Sequence, residues 1–117
     1  MVDKKVLRQQ YKQMKKDMGI YSFTCLATGK VYVGWAQDLR GKINGARARL
    51  DGDLHACRNL QEDWNRYGPQ EFRIKTEELL EYDQDETKTD YREDLEVLLA
   101  VWLKENEGKY PETESLK

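Results

Sequence analysis

The chain predicts a small α+β domain: a three-stranded antiparallel sheet flanked by helices, in the order α-β-β-α-α-β-α. Three observations carry this prediction. Two segments rich in β-branched and aromatic residues flank a turn at Ala27-Thr28-Gly29-Lys30, the pattern of a hairpin. Four other stretches carry apolar residues at helical spacing. A length of 117 residues suits a single domain with one modest core.

Residues 4–17 place Val6, Tyr11, Met14 and Met18 at helical spacing with lysine and arginine between them, which predicts a basic amphipathic helix. Residues 20–26 predict a strand. The Gly29 turn follows, where glycine supplies the positive φ, and residues 30–35 predict the return strand. Asp38 is the expected cap of a helix over 39–50. Gly41 and Gly45 weaken that helix by ~1 kcal/mol each relative to alanine, and Asp51-Gly52-Asp53 ends it. A helix over 56–66 buries Leu60 and Trp64 and stops at Tyr67-Gly68-Pro69. Residues 71–80 predict a third strand with Phe72, Ile74, Leu79 and Leu80 as its apolar positions. Residues 82–90 are acidic and polar, a loop. Asp90, with Glu93 three residues on, predicts the start of a last helix over 91–106 that buries Leu95, Leu98, Leu99 and Trp102. Residues 107–117 predict a flexible tail, and the core spans 18–106.

Charged residues make up 36% of the chain and hydrophobic residues 38%, the balance of a globular protein with a charged surface. No run of eighteen apolar residues predicts a membrane span. The first residues lack the apolar segment of a secretory signal. These features point to the cytoplasm. Cys25 and Cys57 are too few and too far apart for a disulfide framework or a zinc site. The expectation is two buried thiols in a reducing compartment. The charge is uneven along the chain. Residues 1–50 carry 11 Lys/Arg against 3 Asp/Glu, and residues 51–117 carry 9 against 19. A basic half suits a phosphate-binding surface. It is equally the charge that an acidic half neutralises on folding.

Two words stand eleven residues apart: Gly19-Ile20-Tyr21 and Tyr32-Val33-Gly34. They resemble the signature of the GIY-YIG nuclease superfamily, with Val for Ile in the second word. Leu60-Gln61-Glu62-Asp63-Trp64-Asn65-Arg66-Tyr67-Gly68, followed by Phe72, is similar to free-standing and homing-endonuclease members. The likeness runs from Met18 to about Phe72 and more loosely to Trp102, and is nearest to small bacterial single-domain members with a leading basic helix. It implies a GIY-YIG-like fold and metal-assisted phosphodiester hydrolysis.

The resemblance also implies a set of catalytic positions, and the chain departs from them. Tyr21 and Tyr32 match the two cleft tyrosines. The arginine eight residues after the second word's glycine is Lys42 here, and the histidine one turn on is Ala46. His55 matches a histidine of some homing members. The metal-binding glutamate, three residues before an aromatic on the last helix, falls at Leu99 when Trp102 is the aromatic. Lysine keeps the charge of arginine but loses the planar fork that grips two phosphate oxygens. Leucine cannot ligate a divalent cation. Glu96, one turn earlier, is a weak substitute. No metal and no other cofactor is therefore expected, with Mg²⁺ the ion if the protein is active.

Arg40, Lys42, Arg47 and Arg49 lie on one helix in two pairs seven residues apart. They form either a phosphate track or a solvated helix surface. Trp35, where the family carries a small polar residue, is either a packing residue or a base-stacking platform. His55, without partners in the sequence, reads more simply as a loop residue than as a general base. The leading expectation is a degenerate endonuclease-like protein, catalytically impaired or inactive, that retains nucleic-acid binding. One alternative is an active DNA endonuclease using Lys42 and a displaced carboxylate, Glu96 or Glu93. The other is a non-catalytic module whose acidic half meets a basic protein partner.

Overall fold

A computed structural model describes residues 15–116. β1 (Met18–Cys25) and β2 (Val31–Ala36) form the expected hairpin, in antiparallel register from Gly19↔Ala36 to Thr24↔Val31. Gly29, at φ 78°, turns the chain. The turn closes through Cys25 N–H to the Lys30 carbonyl at 2.9 Å and Gly29 N–H to the Cys25 carbonyl at 2.7 Å. β3 (Phe72–Leu80) pairs antiparallel with the other edge of β1, shifting register at Ile20/Tyr21. β1 is therefore central, and both its neighbours are antiparallel.

The sheet does not stop at three strands. Residues 107–117, expected as a flexible tail, supply β4 (Thr113–Ser115), which pairs parallel with β2 at Val31, Tyr32 and Val33. The sheet is mixed, in the order β3-β1-β2-β4. The physical reason is the outer edge of β2, whose backbone groups need partners. Val31 N–H donates to the Glu112 carbonyl at 3.0 Å, and Leu116 N–H to the Val33 carbonyl at 2.7 Å. Of the predicted basic helix, residues 4–14 lie outside the described residues, and residues 15–17 are not helical. The order among the described residues is thus β-β-α-α-β-α-β.

α1 (Leu39–Asp51) starts where predicted, with an Asp38 carboxylate oxygen accepting Gly41 N–H at 3.0 Å. It buries Leu39, Ala46 and Leu50. α2 (Arg58–Tyr67) buries Leu60, Gln61 and Trp64 and ends at Gly68, φ 89°. A single 3₁₀ turn (Pro69–Glu71) then leads into β3. α3 (Arg92–Glu105) buries Leu95, Leu99 and Trp102, while Leu98 is half-buried. Asp90 is not its cap, as Tyr91 occupies that position. Asp90 accepts Arg92 N–H at 3.0 Å and pairs with the Arg92 guanidinium at 2.9 Å.

Strand alternation sends successive side chains to opposite sides of the sheet. Tyr21, Phe23 and Tyr32 share one cluster with Leu39, Ala46 and Leu50 of α1, Leu60 and Trp64 of α2, and Leu116. Ile20, Val31 and Val33 pack against Leu99 and Trp102 of α3. Met18 continues that second layer with Tyr91 and Leu95. Each fully buried large apolar side chain contributes about 1.5–3 kcal/mol, so both layers hold the sheet. No helix among the described residues is long and apolar enough to cross a membrane.

Candidate nucleic-acid interface

The two signature words are built around their glycines. Gly19 meets the backbone of β3 so closely that an added Cβ would lie 2.0 Å from the Glu78 carbonyl oxygen. Only glycine allows that approach at the bulge. Gly34 sits opposite Tyr21 across the hairpin. A Cβ there would come within 2.8 Å of the Tyr21 hydroxyl and 3.0 Å of its ring. The glycine of the second word is thus the bed on which the tyrosine of the first word lies.

Both tyrosines are buried, Tyr21 at 2% exposure and Tyr32 fully. Burial pushes the Tyr21 phenol up to about 12, with the Arg49 guanidinium acting against it. Burial also raises Tyr32, reinforced by its hydrogen bond to Asp63. Tyr32 Oη donates to an Asp63 carboxylate oxygen on α2. Lys30 Nζ stands over the Tyr32 ring, 4.7 Å from its centre. Both phenols are neutral at pH 7. Tyr32 is a hydrogen-bond donor in this state, and neither phenol is a ready base.

His55 lies half-buried on the loop before α2. Its Nδ1 accepts Cys57 N–H at 3.0 Å, and its own N–H donates to Gln61 Oε1 at 3.0 Å. With Nδ1 used as acceptor, the neutral ring carries its proton on Nε2. Burial lowers the His55 pKa, and Arg49 and Lys42 lower it further. His55 is therefore a neutral donor at pH 7. These mutual influences place Tyr21, Lys42, Arg49 and His55 in one neighbourhood. Cys57 belongs to it as well, since its thiol acts on both tyrosines.

The other anticipated residues lie elsewhere. Arg40 lines a cavity of about 780 Å³ with Lys16, Asp38, Asn44 and Thr76, which neither signature tyrosine lines. Arg47, like Arg40, is exposed on α1. Trp35 is half-buried and packs against the layers under α3. One side of it borders a smaller cavity of about 380 Å³, shared with Lys42 and Leu116. Leu99 is 7% exposed, in the α3 layer with Ile20 and Val33. Glu96 and Glu93 are exposed on α3. The described residues contain no group of three His, Cys, Asp or Glu side chains able to hold a metal ion. Leu99, at the position that the resemblance gives to the metal ligand, offers no donor atom to a cation.

Sequence reasoning missed a polar cluster beside Tyr32. Lys30, 9% exposed, binds Glu114 at 3.0 Å and Glu112 at 3.4 Å. The Glu114 carboxylate also accepts from Cys57 Sγ at 2.9 Å and Asn59 Nδ2 at 2.8 Å. These bonds, that from Cys57 foremost, draw its pKa down to about 2. Cys57 is consequently a half-buried, hydrogen-bonded thiol, whereas Cys25 is fully buried as expected. No local signal joins these residues, because Lys30 and Glu114 lie 84 positions apart.

A hairpin that sets Tyr21 across Gly34, with Lys42, Arg49 and His55 on the tyrosine face, gives the chain a GIY-YIG-like fold. Two solved structures share it. The catalytic domain of the homing endonuclease I-TevI superposes at a TM-score of 0.63 and 24% identity, over 86% of this chain and 98% of that one. A single-residue variant of the catalytic domain of the intron endonuclease I-TevI superposes at 0.62 and 25% identity, over 76% of this chain and 82% of that one. No protein-family model matches the chain, and no curated protein matches it.

Proposed function

We propose that this protein binds nucleic acid through the tyrosine face of a nuclease-like domain and hydrolyses phosphodiesters poorly or not at all. The observation that carries this reading is Leu99. The position that the family resemblance gives to the metal ligand holds an aliphatic side chain packed on Ile20, Val31 and Val33. Lys42 replaces the bidentate arginine, and the two tyrosines are neutral. Retained binding is supported by two cations of α1 beside that face: neither Lys42 nor Arg49 is in a salt bridge among the described residues, and Arg40 and Arg47, elsewhere on α1, are likewise outside any. Such charges are available to phosphates.

Two measurements test the proposal. Purified protein with magnesium or manganese leaves plasmid and branched DNA intact. Metal-dependent cutting that disappears in Glu96→Ala or Glu93→Ala would overturn this half. Binding to duplex DNA is non-specific, with Kd about 10⁻⁴–10⁻⁶ M at physiological salt. Lys42→Ala with Arg49→Ala flattens the slope of log K against log salt by about 1.8, two phosphate contacts' worth. An absence of binding even in low salt would sink the reading and favour an acidic surface that meets a basic protein.

A further inference from the structure

We infer that Lys30, Cys57 and Asn59 form a phosphate-binding site, and that Glu114 of the last strand occupies it as an internal substitute for the ligand. The inference rests on the nucleic-acid reading above for the identity of that ligand, a backbone phosphodiester. The site itself stands on geometry. Three donors from two separate parts of the chain converge on one carboxylate: Lys30 Nζ at 3.0 Å, Asn59 Nδ2 at 2.8 Å and Cys57 Sγ at 2.9 Å. Lys30 immediately precedes the second signature strand, and Cys57 and Asn59 stand at the start of α2. A charged donor with neutral donors around it is the set that holds a phosphate oxygen pair as well as it holds a carboxylate.

The position is equally specific. Lys30 stands over the ring of Tyr32, and Glu114 raises the Tyr32 phenol through its charge. An anion bound there therefore adjoins the tyrosine face. Leu116, two residues on, is 6% exposed, joins the cluster that includes Tyr21 and Tyr32, and borders the small cavity with Lys42. The segment 112–116 thus sets a negative charge in the donor pocket and an apolar side chain beside Lys42. It is held by a short ladder of three residue pairs on β2. A short edge strand is the kind of element that opens locally without unfolding the rest. When it lifts, Lys30 is left with an empty donor set and the edge of β2 is bare. A polyanion that enters neutralises the lysine again and keeps the segment away. Nucleic acid and the last strand therefore compete for one site.

The test uses the whole chain and inorganic pyrophosphate as a probe that needs no nucleic acid. In Glu114→Ala, the carboxylate that takes all three donors is gone and only Glu112, 3.4 Å from Lys30, remains, so pyrophosphate raises Tm more than it does in the parent, by mass action on the opened site. Adding Lys30→Met to that variant removes the extra rise. Duplex DNA binds Glu114→Ala about tenfold more tightly than the parent, the worth of one charge-assisted contact. Its salt slope steepens by about 0.9 for the phosphate gained. A folded Glu114→Ala that pyrophosphate stabilises no more than the parent overturns the inference and leaves the nucleic-acid reading standing. A pyrophosphate response without any DNA binding does the reverse: it supports the site and removes the reading. Should Glu114→Ala fail to fold, hydrogen exchange on the parent decides. Pyrophosphate then speeds exchange at the Leu116 and Val31 amides, which bond across the β2 edge. Unchanged exchange there overturns the inference.

Discussion

The two faces of this sheet descend from the same strands and differ in kind. Under α3, Ile20, Val31 and Val33 meet Leu99 and Trp102 in an apolar cluster, with one buried polar group on that side of β1, Ser22, donating to Glu77 at 2.8 Å. On the tyrosine face, the packing is interrupted by placed polar groups: Tyr32 on Asp63, Gln61 on the Leu50 carbonyl, and Lys30 on Glu114. The family resemblance asks both faces to contribute to one catalytic centre. The tyrosine face carries the polar groups, Tyr32, Asp63, Lys30 and Glu114 among them. On the α3 face, the position that the resemblance gives to the metal ligand is a packed leucine, Leu99. Strand alternation keeps the two sets of side chains apart, so a substitution on one face leaves the contacts of the other face in place.

The largest expected effect breaks the apolar face. Leu99→Glu places a charge among Ile20, Val31 and Val33, where nothing pairs it, and costs several kcal/mol. That is a large fraction of the 5–15 kcal/mol typical of a domain. Urea unfolding measures it. A Leu99→Glu protein as stable as the parent would mean that position 99 opens to solvent or to the tyrosine face, and the contrast between faces would collapse.

A middle-sized effect probes the polar face. Tyr32→Phe keeps the ring and removes the bond to Asp63, at a cost of about 2 kcal/mol, the range for a hydrogen bond to a charged group. Asp63→Ala removes the same bond, so the double variant loses little more than either single one. Denaturant unfolding of all three checks this. Fully additive losses would show that the pair is not coupled.

The smallest effect is a slope. The Glu114 pKa falls from 4.5 to about 2 on folding. The unfolded chain therefore binds this proton at a higher pH than the folded one does. The stabilisation is fully present above about pH 4.5 and is lost as pH falls through about 2. Glu114→Gln has no such proton to bind, so its stability declines less steeply across that window. Tm measured against pH in both proteins gives the comparison. Parallel acid limbs would mean that Glu114 is held no more firmly folded than unfolded.

Most of the fold was legible because most of it is local. The Gly29 turn, the Asp38 cap and the spacing of Leu60 and Trp64 each act within a few residues. β1, β2, α1, α2, β3 and α3 fall within about two residues of their expected bounds. β4 was not legible: three residues, Thr113, Glu114 and Ser115, offer no alternation to read, and their partner strand is some eighty positions away. Asp90 shows a local rule that came close, since its side chain serves Arg92 from one residue before the cap. At the site, Tyr21 and Lys42 could be singled out by their places in and after the signature words, and His55 by the family resemblance. The grip of Lys30, Cys57 and Asn59 on Glu114 could not, because it joins three distant stretches through side chains. Trp35 shows the limit from the other direction. Adjacent to Gly34 in sequence, it points by alternation to the opposite layer.

The parallel pairing of β4 has a consequence for how the chain is made. A ribosome releases β1 and β2 early, and the hairpin can close as soon as it emerges. The outer edge of β2 then waits for residues 112–116, the last described part of the chain. Through most of synthesis that edge carries unpaired backbone groups beside exposed Val31 and Val33, a template for another nascent chain. A chain cut before Glu112 keeps β1 to β3 and α1 to α3 and leaves the outer edge of β2 bare. Solubility of such a product, more than its helix content, would register the absence of the last strand.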